Sequence, residues 1–187
     1  MTRTRQVAAI FVAAISFGVI VAVVKGQDTG VRDVLGNMSA PWVLIPFFAG
    51  ACCRRIAPAA LAGMAATQAA FLGFYLTEAL VLDLGPHPLL TDLKLTLGSG
   101  HVYEQFGLLS GPVYGALGAL WRSGSVRLAP VAVALAFIFE PLIVFVISHA
   151  GIWGGAELLS YAWLWVGEVL LGVAGLALIL RTASVRR

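Results

Sequence analysis

Six long apolar stretches separated by short polar segments constrain this chain more than any other feature. They fall at about residues 6–24, 35–53, 56–82, 103–121, 128–149 and 158–180. A helix rises about 1.5 Å per residue, so roughly 20 apolar residues cross the hydrocarbon of a bilayer. Inside hydrocarbon a backbone must satisfy its own hydrogen bonds, which leaves helices or closed barrels. Stretches of this length select helices. The expected fold is an all-α membrane protein: six transmembrane helices in one bundle, with residues 1–187 forming a single integral membrane domain.

Composition removes the alternatives. Hydrophobic residues make up 60% of the chain and charged residues 11%, where a soluble domain has roughly a quarter charged. The mean hydropathy is +0.94. A soluble enzyme, a disordered chain and a nucleic-acid binder are excluded; the formal net charge of +3 comes with no solvated basic stripe. The first stretch follows Arg3 and Arg5 as a signal peptide would. Its apolar run is too long for a typical signal core, and no A-x-A-like site precedes Lys25, so a retained helix is expected. Cys52 and Cys53 are adjacent, with no second pair to build a disulfide framework or a zinc site.

The basic residues predict orientation. With six spans, one side receives Arg3, Arg5, Arg54, Arg55, Arg122, Arg127, Arg181, Arg186 and Arg187. The other side receives Lys25, Arg32 and Lys94. This bias on short segments places both termini in the cytoplasm and the chain in the cell inner (cytoplasmic) membrane. Five or seven spans would scatter the arginines over both faces. A basic inner face suits contact with the anionic headgroups of the lipid bilayer. The acids avoid that side: Asp28, Asp33, Asp83, Asp92 and Glu157 fall in or beside outer loops, and Glu78, Glu104, Glu140 and Glu168 fall within spans.

Breakers and small residues refine the picture. Asn37, Ser39 and Pro41 read as an N-cap region with proline in the first helical turn. Pro46, Pro112 and Pro141 lie inside spans, where each frees a carbonyl. Small residues recur at spacing four: Ala9–Ala13 and Ala14–Gly18–Ala22 in span one, Gly107–Gly111–Gly115 in span four. Such ridges serve close helix packing, and one left exposed on span one would dock a separate membrane subunit. In the second outer loop, residues 83–100, Leu89, Leu90, Leu93 and Leu97 suit a short interfacial helix. Gly98-Ser99-Gly100 would let it move as a lid or leave it a passive connector.

The four carboxylates within spans are the main chemical signal, because an ionisable group in hydrocarbon is costly and usually faces a bundle interior or a watery cavity. Glu140 lies roughly 18 Å from the inner end of its span and Glu168 roughly 15 Å from the outer end of its own. Both are near the midplane. No Lys or Arg lies deep in a span, so each glutamate is expected to be protonated, to pair with water and hydroxyls, or to await a cation. Aromatics gather on the same side: Trp42, Tyr75, Tyr103, Trp153, Tyr161, Trp163 and Trp165. Tyr161, Trp165 and Glu168 share one helical face, Tyr75 lies three residues before Glu78, and Tyr103, Gly107, Ser110 and Tyr114 form a further stripe. Acids beside electron-rich rings suit an organic cation or a polar heteroaromatic ligand; the other reading is an aromatic belt with structural glutamates. The candidate ligand set is Trp42, Tyr75, Glu78, Tyr103, Glu104, Glu140, Tyr161, Trp165 and Glu168, around one small-molecule cavity. His87, His101 and His149 have no metal-ligand spacing, and no nucleophile elbow or phosphate loop is present. No catalytic residue, metal or cofactor is expected.

The stretch Asn37-Met38-Ser39-Ala40-Pro41-Trp42, then Phe47-Phe48-Ala49-Gly50, Gly73-Phe74-Tyr75 and Gly111-Pro112-Val113-Tyr114-Gly115, resembles an uncharacterised bacterial family of small six-span integral membrane proteins. The architecture also resembles the substrate-binding S components of energy-coupling-factor vitamin transporters. That resemblance implies a nutrient held in the outer half of the bundle. It also implies docking on a transmembrane coupling subunit through small residues of helix one, here Ala9 and Ala13, with partner ATPases using the ATP. The expected function is a membrane-embedded solute-binding component for uptake of a small cationic or heteroaromatic nutrient. The alternatives are a proton-coupled secondary transporter or small exporter, and a non-transporting structural membrane protein.

Overall fold

The computed structural model describes residues 3–26, 30–82, 89–149 and 160–185. The described residues form seven α-helices: α1 (Arg3–Lys25), α2 (Gly30–Asn37), α3 (Ala40–Ala51), α4 (Ile56–Thr77), α5 (Leu89–Arg122), α6 (Ala129–His149) and α7 (Ala162–Val185). A π-helical turn, Glu78–Leu82, continues α4. There is no strand among the described residues. Five stretches are long and apolar enough to cross a membrane: Arg5–Lys25, Gly30–Ala51, Ile56–Val81, Ala129–His149 and Ala162–Thr182. The fold is that of an all-helical membrane protein.

Two boundaries differ from the sequence expectation. The second apolar stretch, 35–53, is helical from Ala40 as α3, and α2 occupies residues 30–37, where the sequence places the first outer loop; the two helices are separated at Met38 and Ser39. Pro41 favours the break, because it has no N–H to bond the Asn37 carbonyl and its ring clashes with that carbonyl in a continuous helix. The expected interfacial segment at Leu89–Leu97 is not a separate helix either. It runs without interruption into the expected fourth span as α5, a helix of 34 residues. Glycine weakens a helix by only about 1 kcal/mol per residue, and from Pro88 to Pro112 nothing stronger opposes continuation.

Backbone contact builds the centre of the bundle. Helix α4 packs against α1 on one side and α5 on the other, and α3 wedges against α4 and α5. A Cβ on Gly18 would sit 1.9 Å from the Ala70 carbonyl oxygen, and one on Gly50 would sit 1.9 Å from that of Gly115. Only glycine permits these approaches, which supply packing where apolar burial from water offers no drive. The expected ridge Ala14–Gly18–Ala22 is buried in this way, as is Gly107–Gly111–Gly115. Helices α6 and α7 pack as a pair, and α6 joins the rest through α3 and α5. Large apolar side chains such as Val12, Ile20, Leu142, Leu170 and Leu171 face outward, as hydrocarbon contact requires.

Candidate functional site

The helix break at Met38 and Ser39 sets up the site. Helix starts leave backbone N–H groups without intrahelical partners. Here Pro41 has no N–H, and Trp42 donates to the Ser39 carbonyl at 3.0 Å. The orphan donors are the N–H groups of Ser39 and Ala40. Ser39 does not cap the helix with its own hydroxyl, and its backbone is helical rather than extended. Both donors instead reach Glu140 of α6: the Ser39 N–H donates to Oε1 and the Ala40 N–H to Oε2. A carboxylate from a distant helix thus serves as the cap, at the positive end of the α3 dipole. Glu140 is 5% exposed. Its neighbour Pro141 cannot donate a backbone N–H either, so this turn of α6 is locally loosened where the carboxylate leaves it.

Glu168 of α7 meets Glu140 from the other side. It is 3% exposed, and neither of its oxygens meets a hydrogen-bond donor among the described residues. Its carboxyl lies within hydrogen-bonding reach of the Glu140 carboxyl. The two midplane glutamates expected from the sequence therefore do converge. Around them, Val34 and Met38 of the α2–α3 break pack with Val144, Leu164 and Trp165, and Val31 and Tyr161 close the cluster. Helix α2 is tied down at its start: Arg32 Nε donates to the Val24 carbonyl at 2.9 Å, and its terminal nitrogen donates to Val23. These are the exposed last carbonyls of α1, and Arg32 caps them as a cation suits a helix C-terminus.

Glu78 does not join this pair. Lys25, the last residue of α1, reaches it at 2.7 Å, with the two side chains 14% and 18% exposed. The expectation that no basic residue would neutralise an intramembrane glutamate is corrected for Glu78. Span one ends level with the π-helical turn that begins at Glu78, and the flexible lysine stem turns its ammonium inward. The Lys25 ammonium also lies 5.5 Å from the Phe74 ring centroid. Trp42 stacks on Phe71 at 4.7 Å and meets Phe17 and Phe74 edge-on. Phe71 in turn stacks on Tyr75. Glu78 and Glu104 both bear electrostatically on the Tyr75 hydroxyl.

The expected single ligand set is thus two groups. Glu140, Glu168, Tyr161 and Trp165 form one; Trp42, Tyr75, Glu78 and Glu104 form the other, with Lys25. The first turn of α3 joins them, since Ala40 faces Glu140 and Trp42 faces α1 and α4. Tyr103 lies in α5, but its side chain is outside the described residues, as are Asp28, Asp83, His87, Trp153 and Glu157. Tyr114 donates to the Ala132 carbonyl of α6 at 3.4 Å, a packing role. Ala9 and Ala13 are exposed on α1, away from the buried Ala14. Sequence reasoning missed Lys25, Arg32 and the two backbone donors. Pro41 was the available signal for the donors: a proline in the first turn leaves a countable set of orphan N–H groups.

Over residues 1–187 the chain matches the model of a family of unknown function, DUF6518. No curated protein matches it. No solved structure matches it.

Proposed function

We propose that this chain, which belongs to the DUF6518 family, is a membrane-embedded solute-binding component for uptake of a small cationic or heteroaromatic solute. The observation that carries this reading is the buried pair Glu140 and Glu168, which has acceptor oxygens and lies beside an apolar cluster that includes Trp165 and Tyr161. Carboxylates held apart from lysine and arginine inside a bundle mark solute or ion pathways. A helix broken in mid-membrane, with its N-terminus held by a side chain, is a common element of such sites. In this reading α5 supplies the sixth crossing and both termini face the cytoplasm, following the arginine bias. Exposed Ala9 and Ala13 would dock a coupling subunit with its ATPases, an arrangement similar to the S components of energy-coupling-factor transporters.

Thermal-shift screening of the purified protein against vitamins and amines tests the reading. A ligand that raises the melting temperature in wild type and fails to do so in Glu168→Gln supports it. If no ligand stabilises the protein, and the Gln substitutions leave growth on scarce nutrients unchanged, the reading fails. A second reading, proton-coupled transport without ATPases, is favoured by the facing carboxylates. It requires solute movement in proteoliposomes that follows a pH gradient.

A further inference from the structure

The two midplane glutamates look equivalent in the sequence and are not equivalent in the fold. Glu140 has one lone pair on each oxygen committed to a backbone N–H, from Ser39 and from Ala40. Charge-assisted bonds of this kind favour the ionised carboxylate. Glu168 has neither oxygen on a donor among the described residues, although it is buried to 3%. Its polar neighbour is Glu140, itself an acceptor. Two ionised carboxylates in contact would repel in a medium that screens poorly. The contact becomes favourable when one proton lies between them. Each Glu140 oxygen already accepts a backbone N–H, while Glu168 meets no donor among the described residues, so the shared proton is assigned to Glu168.

We propose that Glu168 is a proton-binding site, with Glu140 as the acceptor of its hydroxyl, and that a monovalent cation competes for the same position. The exchange balances. As the cation arrives, the Glu168 O–H bond breaks and its electron pair stays on the carboxylate oxygen. The proton leaves to water, the cation pairs with Glu168 and Glu140, and the charge of the assembly is unchanged. The groups facing Glu168 fit this. Helix α6 brings Glu140, and α3 brings no charged residue. On α2, Arg32 is engaged on the α1 carbonyls, and Asp33 accepts from the Asn37 amide at 2.7 Å. Its own helix α7 brings Trp165, and Tyr161 directly precedes that helix. The inference deepens the solute-binding reading by giving Glu168 the exchangeable role and Glu140 a positioning role.

Infrared spectroscopy of the full-length protein in lipid nanodiscs tests it, and needs no solute. The probe is the carbonyl stretch of a buried carboxylic acid. That band is expected in wild type, lost in Glu168→Gln and kept in Glu140→Gln. Sodium and tetramethylammonium, added separately, are the cation probes. The band is expected to shrink with at least one of them, while a pH dye reports the released proton. Labelling of wild type with a hydrophobic carbodiimide, read by mass spectrometry, is expected on Glu168 and not on Glu140; this arm stands even if a variant fails to fold. A band insensitive to Glu168→Gln, or labelling on Glu140 instead, overturns the proton assignment. A band that resists both cations overturns the exchange. Failure of the thermal-shift screen with these results intact would remove the nutrient reading and leave the proton site standing.

Discussion

Replacing Glu140 with glutamine should cost far more stability than replacing Glu168 with glutamine, although both change one buried oxygen to an amide. Glu140 accepts from Ser39 and Ala40, one N–H on each oxygen. Glutamine offers one carbonyl oxygen and one NH2 group. One backbone N–H then faces a donor and is left unsatisfied, at about 1–3 kcal/mol. The other bond changes from charged to neutral acceptor, a loss of about 1 kcal/mol. Together the change is about 2–4 kcal/mol, or a drop in melting temperature of about 5–15 °C for a chain of this size. Glu168→Gln keeps the shape, and its NH2 can donate to Glu140 as the carboxylic acid would. The expected change is within about 1 kcal/mol. Thermal unfolding in mild detergent, followed by the fluorescence of the five tryptophans, compares the two directly. Equal losses, or a larger loss at Glu168, would refute the assignment of Glu140 as the cap of α3.

Other substitutions probe the rest of the fold. Gly50→Ala places a Cβ 1.9 Å from the Gly115 oxygen and should destabilise by about 1–3 kcal/mol or more; Gly167→Ala, with open space at that position, should be neutral or gain up to about 1 kcal/mol, both read as melting temperatures. Lys25→Met or Glu78→Gln should each cost about 2 kcal/mol by leaving a partly buried charge unmatched, and the double exchange Lys25→Glu with Glu78→Lys should recover a measurable part in a double-mutant cycle. Ala14→Leu, at a position 1% exposed, should lower the melting temperature sharply, while Ala13→Leu at the exposed neighbouring position should leave it within about 0.5 kcal/mol of wild type; loss of a copurifying membrane subunit in Ala13→Leu alone would mark the docking face.

The helices were legible in the sequence because hydrocarbon allows so few backbone solutions. Span five at 128–149 emerges as Ala129–His149, and span three at 56–82 as α4 with its π-helical turn. The glycine ridges were legible too, since Ala14, Gly18 and Ala22 can share a buried face only if they touch a neighbour. The break between α2 and α3 was half legible: Asn37, Ser39 and Pro41 marked a helix start, but nothing marked that eight residues before it would form a helix of their own. The meeting of Glu140 with Ser39, 101 residues away, was not legible at all. Periodicity places residues on faces of their own helices, and the pairing of faces depends on tertiary packing. The same limit concealed Lys25 from Glu78, 53 residues away.

That separation also decides which acid can attract a cation. Glu78 has its charge matched by the Lys25 ammonium at 2.7 Å, so an incoming cation would have to displace a lysine already tethered to the fold. Glu140 is matched by a helix N-terminus, which carries about half a positive charge, together with two backbone donors. No lysine or arginine side chain is among those partners, and Glu168 is the acid that faces Glu140. Burial by Val34, Met38, Leu164 and Trp165 lowers the local dielectric and strengthens electrostatic interactions there. In a neutral pair such as Lys25 with Glu78 the same burial would leave little field to strengthen. A cation entering this bundle would therefore meet less competition at the Glu140 and Glu168 pair than at Glu78, which is where the proposal puts the exchangeable proton.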